Sequence, residues 1–168
     1  MHPIETKIKN SCLLRQDIHG LPLMPQLLLQ RAHTILKGEG CYKDIHLALE
    51  YYTKYLIYPD AIEDPAFKPY MDDQPIIEKI EQLAKDKKDD EALGLVKELS
   101  TIEYGNVLST LGLIHYKKGD KAKAAEFFHQ ASELGYPAAM RYLADMHLKG
   151  DGIPSNPLEG IRLLEIAS

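Results

Sequence analysis

The stretch LKGEGCYKDIHLALEYY, Leu36–Tyr52, is written a second time as LKGDGIPSNPLEGIRLL, Leu148–Leu164. Both copies place Leu-Lys-Gly, an acid and a second Gly ahead of a polar spacer and an apolar face of helical rhythm. A loop spelled twice at a separation of 112 residues constrains the fold more than composition does. Internal self-similarity marks stacked supersecondary units that bury a core only by covering one another.

The clearest pair of units is Tyr104–Ser132 and Tyr136–Ser168. At an offset of 32, Tyr104 meets Tyr136, Leu108 meets Met140, Leu111 meets Leu143, Gly112 meets Ala144 and His115 meets His147. The second copy carries four extra residues in its turn, and the offset becomes 36. Asp120 then meets Asn156, Phe127 meets Leu163, Phe128 meets Leu164 and Ala131 meets Ala167. Val107, Leu108, Leu111, Ile114 and His115 lie on one helical face, and Ala124, Ala125, Phe127, Phe128 and Ala131 on another. Each unit therefore reads as two helices. Gly112 and Ala144 are the small residues that let a partner helix approach. Asp120 and Asn156 are placed to cap the second helices, and Pro157 takes a first helical position, where its missing amide donor costs little. In LGYP, Leu134–Pro137, the glycine suits a helix exit and the proline a helix entrance.

The Leu36 segment is a third copy of the same turn. Gly38 and Gly40 correspond to Gly150 and Gly152, Asp44 to Asn156, and Leu49, Tyr51 and Tyr52 to Ile161, Leu163 and Leu164. Its first helix starts near Pro25 and includes Leu28, Leu29, Ala32 and Ile35. The glycines are read as a tight turn with positive backbone angles. The competing phosphate-loop reading lacks GxGxxG, GxxxxGK and a preceding strand.

The domain reading is an N-terminal segment 1–24 with room for a capping helix, a first repeat 25–57, a Pro- and acid-rich connector 58–75, a degenerate helix pair 76–103, a repeat 104–135 and a final repeat 136–168. The connector, YPDAIEDPAFKPYMDDQP, holds four prolines and is expected to carry a short helix around Asp64–Met71, with Phe67 and Tyr70 packing over the helices or facing a partner. In the degenerate pair, periodicity runs through Ile76, Ile77, Ile80, Leu83 and Ala84, then through Ala92, Leu93, Leu95, Val96 and Leu99. Bulky Ile80 stands there where Gly112 stands in the next copy. LLEIAS ends without an evident helix cap.

These residues resemble the Sel-one-like repeat family, a relative of the tetratricopeptide repeats. The pattern is carried by LGLIHYKKGDKAKAAEFFHQASELG (Leu111–Gly135), by LADMHLKGDGIPSNPLEGIRLLEIAS (Leu143–Ser168) and by ILKGEGCYKDIHLALEYYTKYL (Ile35–Leu56). His115, His147 and Ile35 depart from it where the family tends to place Tyr, and the turn after Tyr116 is too short for the double-Gly loop. The resemblance implies an all-α fold, a right-handed α/α superhelix (solenoid) of stacked antiparallel helix pairs with a concave binding surface. It implies adaptor or scaffold modules, many of them bacterial, and supplies no catalytic residue set.

Little points to chemistry. None of HExxH, HxH or CxxC occurs. His115 and His147 are expected as packed helix residues, and His129 as a surface residue. Cys41 has no adjacent His base, whereas Cys12 and His19 are near enough in sequence for a Cys/His pair to be considered. Asp72–Asp73 and Asp89–Asp90 are expected in solvent-facing turns, and Tyr51, Tyr52 and Tyr55 in a core. No catalytic, metal or cofactor site is assigned. A net charge of −5 with no basic face argues against nucleic acid, and no window is apolar enough for a membrane span. Without a signal-peptide pattern the expected compartment is cytoplasmic, secretion by a cryptic signal being the alternative.

The expected binding face comes from the first helix of each pair. Matching the turns makes Lys37, Lys85, Lys117 and Lys149 equivalent, a basic line in an acidic chain, with Leu113, Tyr116, Arg141, Asp145 and His33 beside it. The competing reading is helix C-terminal charge, since lysine favours the negative end of a helix. The functional expectation is a noncatalytic scaffold or adaptor for a protein or peptide. The alternatives are a small hydrolase or other enzyme with an unrecognised site, and an inhibitor or immunity partner of another protein.

Overall fold

A computed structural model describes residues 25–168. The expected capping helix in 1–24 and the Cys12/His19 pair lie outside the described residues. Among the described residues the fold is all-α, an α-solenoid of helix pairs: α1 (Pro25–Lys37), α2 (Ile45–Leu56), α3 (Lys68–Lys85), α4 (Asp89–Leu95), α5 (Gly105–Lys117), α6 (Lys121–Glu133), α7 (Pro137–Lys149) and α8 (Pro157–Ala167). They fall into two compact units that divide at Asp72/Asp73.

One backbone device ends most of the helices. The amides of Glu39, Lys88, Asp120, Tyr136 and Asp151 each reach back five residues, to the carbonyls of Thr34, Leu83, His115, Ala131 and Met146, at 2.9–3.1 Å. The residue just before each donor holds a positive φ: Gly38, Lys87, Gly119, Gly135 and Gly150. This closure satisfies carbonyls that a helix end leaves unpaired and needs a left-handed residue, which glycine provides at least cost. Lys87, at φ 60°, is the exception. The second helices start as the capping residues predict. Asp44 accepts from the Leu47 amide at 2.9 Å, Asp120 from Lys123 at 3.2 Å and Asn156 from Glu159 at 3.2 Å.

In the first unit α1 packs on α2, and Leu28, Ala32 and Ile35 of the one and Leu49, Tyr51, Tyr52 and Tyr55 of the other are buried. The tyrosines are core residues, as their helical rhythm predicts. The connector folds onto them. Phe67 is buried and stacks on Tyr52 with ring centroids 4.2 Å apart. The Tyr52 hydroxyl accepts from the Asp64 amide at 2.6 Å, and that of Tyr55 accepts from Ile62 at 2.9 Å. Tyr70 is half-buried.

Three expectations for the middle of the chain are corrected. No separate short helix spans Asp64–Met71. Turns end at Phe67, and α3 then runs unbroken through Pro75 to Lys85. A proline there removes one backbone bond, an interior penalty of about 3 kcal/mol that tertiary burial of Ile77 and Ile80 opposes. Asp73 does not lie in a solvent-facing turn. It is a buried residue of α3 that accepts from the Ser100 amide at 3.0 Å, from the Ser100 hydroxyl, and from the Tyr104 hydroxyl at 2.7 Å. The second helix of the degenerate pair stops at Leu95 and tightens into a 3-10 turn, Val96–Glu98, before reaching Leu99. Exposed Gly94 near its end weakens continued α-helix.

In the second unit, α5 to α8 form two successive pairs around Leu108, Ala124, Phe128, Ala131, Met140, Leu143, Ala144 and Leu163. Ile80, Ala92 and Ile114 form a smaller cluster with the degenerate pair. Gly112 sits where the alignment requires a small residue: a Cβ there would lie 2.6 Å from Cε1 of Phe128. The Phe128 ring also stacks on Tyr142 at 5.0 Å. The apparently uncapped end of α8 receives Arg141, whose guanidinium donates to the Ala167 carbonyl at 3.4 Å.

Candidate functional site

Lys37, Lys85, Lys117 and Lys149 are the last residues of α1, α3, α5 and α7. The left-handed residue that closes each helix follows directly after Lys37 and Lys149 and two residues after Lys85 and Lys117. All are exposed. They are not an uncompensated basic line. Lys37 Nζ lies 3.8 Å from Glu39, Lys117 lies 3.8 Å from Asp89, and Lys149 donates to Asp145 at 2.7 Å. The acids come from the turn that follows, from the first turn of α4 and from one turn earlier in α7. Acids in the first turn of a helix complement its dipole, so Asp89–Asp90 serve α4 and the lysines at once. Asp90 likewise takes Lys118. Asp89 Oδ1 is buried without a hydrogen-bond partner, which makes Lys117 its nearby countercharge.

Tyr116 is 36% exposed, but its hydroxyl is not free. It donates to Asp151 at 2.6 Å, and Lys121 Nζ stands 5.4 Å from its ring centroid. Lys121 also donates to the other oxygen of Asp151. Asp151 is the acid between the glycines of the final double-Gly loop, so this loop is drawn onto the turn of the preceding repeat. Gly152 permits the contact: a Cβ there would lie 2.4 Å from Cβ of Lys121. The final loop is thus a clasp between successive pairs. Lys121 and then Tyr116 hold the Asp151 carboxyl below its usual range. Hydrogen bonding to Asp151 raises both the Tyr116 phenol and the Lys121 ammonium. The bond to Asp145 raises Lys149.

Leu113 is half-buried against the core of the second unit and offers only part of its side chain. Arg141 and Asp145 are exposed on α7, one turn apart, with Lys149 a further turn along. Thus Leu113, Tyr116 and Lys117 come from one first helix, and Arg141, Asp145 and Lys149 from the next. Lys85 closes α3 in the same unit. Lys37 and His33 belong to the first unit, where His33 Nε2 is 2.8 Å from Asp64 and its ring lies 5.0 Å from Phe67. Asp151 and Lys121 went unnoticed in the sequence. The visible signal was an acid set between two glycines at a repeat boundary.

His115 stacks on Phe127 at 5.4 Å, and burial lowers its pKa, so it is a packing residue. Among the described residues no group of three His, Cys, Asp or Glu is arranged to hold a metal, and no helix is long and apolar enough to cross a membrane.

The Sel1 repeat model matches residues 30–54, 103–136 and 137–168, more than half of the chain. The chain belongs to the Sel1 repeat family. The matched segments overlap the three repeats read from the sequence, and residues 55–102 are left unmatched. Such repeats typically serve as protein–protein interaction scaffolds and are generally noncatalytic. No curated protein matches the chain. It is similar in structure to a protective antigen of uropathogenic Escherichia coli that displays an SLR fold, at 15% identity and a TM-score of 0.49. The match covers 99% of this chain and 33% of the antigen.

Proposed function

We propose that this Sel1 repeat chain is a noncatalytic scaffold that docks a partner protein or peptide along the face shared by the first helices α3, α5 and α7. The observation that supports this reading is the register of Lys85, Lys117 and Lys149. They recur at the same helical position, stay exposed, and have Tyr116, Leu113, Arg141 and Asp145 beside them. Exposed aromatic and aliphatic area interleaved with both signs of charge suits a peptide or protein surface better than a bare phosphate. Because Lys117 and Lys149 already hold carboxylates, an acidic partner group exchanges for an internal one. The lysines then govern encounter and orientation more than net affinity. Lys37 holds the equivalent position in α1.

The test is affinity capture, followed by calorimetry with the captured partner at low and high salt. Lys117→Gln combined with Lys149→Gln is expected to weaken binding more at low salt, since screening removes much of the lysines' contribution at high salt. Tyr116→Phe separates the hydroxyl's grip on Asp151 from the ring's contact with a partner. Unchanged affinity for Tyr116→Ala and for the lysine pair, with both variants folded, rejects the proposed face.

A further inference from the structure

In the second unit the carboxylates that are partly or wholly buried are Asp73, Glu81, Asp89, Asp151 and Glu159. Ser100 and Tyr104 donate to Asp73, and Lys117, Lys121 and Arg162 stand beside Asp89, Asp151 and Glu159. Glu81, on α3, has a single neutral donor, the side-chain amide of Asn106 on α5 at 2.6 Å. Lys85, one turn further along α3, makes no ion pair with it. A carboxylate drawn partly out of water normally takes a cation or several donors, so Glu81 is under-served.

The repeat explains why room for a partner exists beside it. Tyr104 and Tyr136 hold the same place in successive repeats, and the Tyr104 hydroxyl donates to buried Asp73 at 2.7 Å. At the same offset of 32 the residue matching Asp73 is Gly105. Tyr136 lies across that glycine: a Cβ there would be 2.9 Å from Cβ of Tyr136. The acid that closes the earlier junction is therefore missing from the later one, and the Tyr136 hydroxyl has no hydrogen-bond partner among the described residues. Asn106, next to Gly105, brings Glu81 to the same corner. Burial first, then Glu81 and Tyr142, raise the Tyr136 phenol, as expected when both stand near it. Tyr142 stacks on Phe128 yet remains 43% exposed.

We propose that Glu81, Tyr136 and Tyr142 form a binding site for an arginine side chain of the docked partner. A guanidinium carries only donors, several of them in one plane, and the corner offers a carboxylate and a phenol oxygen as acceptors. Its flat, weakly hydrated face suits the exposed Tyr142 ring better than a lysine ammonium does. The inference rests on the reading that first helices α3, α5 and α7 dock a protein or peptide, and it adds one basic residue to that partner's description.

The test needs no partner. The full chain, isotopically labelled, is titrated with Nα-acetyl-arginine amide and followed by NMR at the Asn106 side-chain amide and the Tyr136 and Tyr142 rings. Saturable shifts are expected there with a Kd of about 1–10 mM. The citrulline counterpart, which keeps the shape and loses the charge, should bind about tenfold more weakly. Glu81→Gln still accepts from Asn106 and should lose the preference for arginine over citrulline. Tyr142→Phe should keep binding that Tyr142→Ala loses. The site is overturned if citrulline binds as well as arginine, if Glu81→Gln keeps the preference, or if the shifts map to Asp145 and Asp151 instead. Absence of shifts at these residues up to about 50 mM overturns it equally. Any of these results leaves the lysine positions of the face standing, since partner binding tests those separately.

Discussion

Replacing Gly112 by alanine tests the helix pairing through the sign of a stability change. In a helix interior alanine is normally favoured over glycine by about 1 kcal/mol, because glycine loses more backbone freedom on folding. At Gly112 the added Cβ would lie 2.6, 2.7 and 2.9 Å from Cε1, Cδ1 and Cζ of Phe128. Carbon atoms pack at roughly 3.5–4.0 Å, so the ring must retreat by about 1 Å. It has little room to do so, being 1% exposed and stacked on Tyr142. Overpacking of this kind costs about 1–3 kcal/mol. Subtracting the helix-propensity gain leaves Gly112→Ala no more stable than the parent, with a loss of up to about 2 kcal/mol. Gly94 is the matched control, a helical glycine of α4 around which a Cβ meets nothing within 4 Å. Gly94→Ala should stabilise by about 0.5–1 kcal/mol. Urea denaturation with unchanged slope reads both as midpoint shifts of opposite direction. Gly112→Leu should lose more than Lys118→Leu at the exposed turn. If Gly112→Ala is as stable as Gly94→Ala, α5 and α6 do not approach as described and the repeat alignment is wrong.

Other outcomes follow from single contacts. Asp73→Ala strands the Ser100 and Tyr104 donors and should lower stability by about 2–4 kcal/mol in the same urea assay, with Tyr104→Phe losing a smaller share. Lys87→Gly relieves a left-handed lysine and should raise the midpoint by an amount equivalent to about 0.5–1 kcal/mol. The Asp64 carboxyl is held below its ordinary range by the Ala66 amide and by His33. A depressed folded-state pKa gives stability that is present above the unfolded value of about 4 and fades as pH falls through the folded one. The stability gap between the parent and Asp64→Asn should therefore be open at neutral pH and close below about pH 4.

Much of the fold was legible because each repeat states its structure several times. The positions of Asp44, Asp120 and Asn156 and of the closing glycines each follow from local chemistry that needs no distant contact. Legibility failed where tertiary burial overrode a local signal. Pro75 and the adjacent acids read as a break, yet Asp73 finds its donors 27 and 31 residues away, beyond the reach of any local pattern. Lys87 concealed a helix ending that glycine announces elsewhere. The candidate face was half legible. The shared place of the lysines at helix ends followed from turn alignment, but the pairing of Lys117 with Asp89 depends on how one pair packs on the next. Asp151 lay in plain sight inside the repeated loop, and only the stacking of pairs shows that it fastens Tyr116 and Lys121.

Site-specific photo-crosslinking in cells bears most directly on the claim that the first-helix face receives a partner. A photoreactive residue is placed singly at Leu113, Arg141 or Asp145, and for comparison at Glu126 or His129 on exposed positions of the second helix α6. The scaffold account predicts one discrete adduct, the same protein from each first-helix position and absent from the α6 positions. Adducts confined to α6, or equal from both faces, would contradict it.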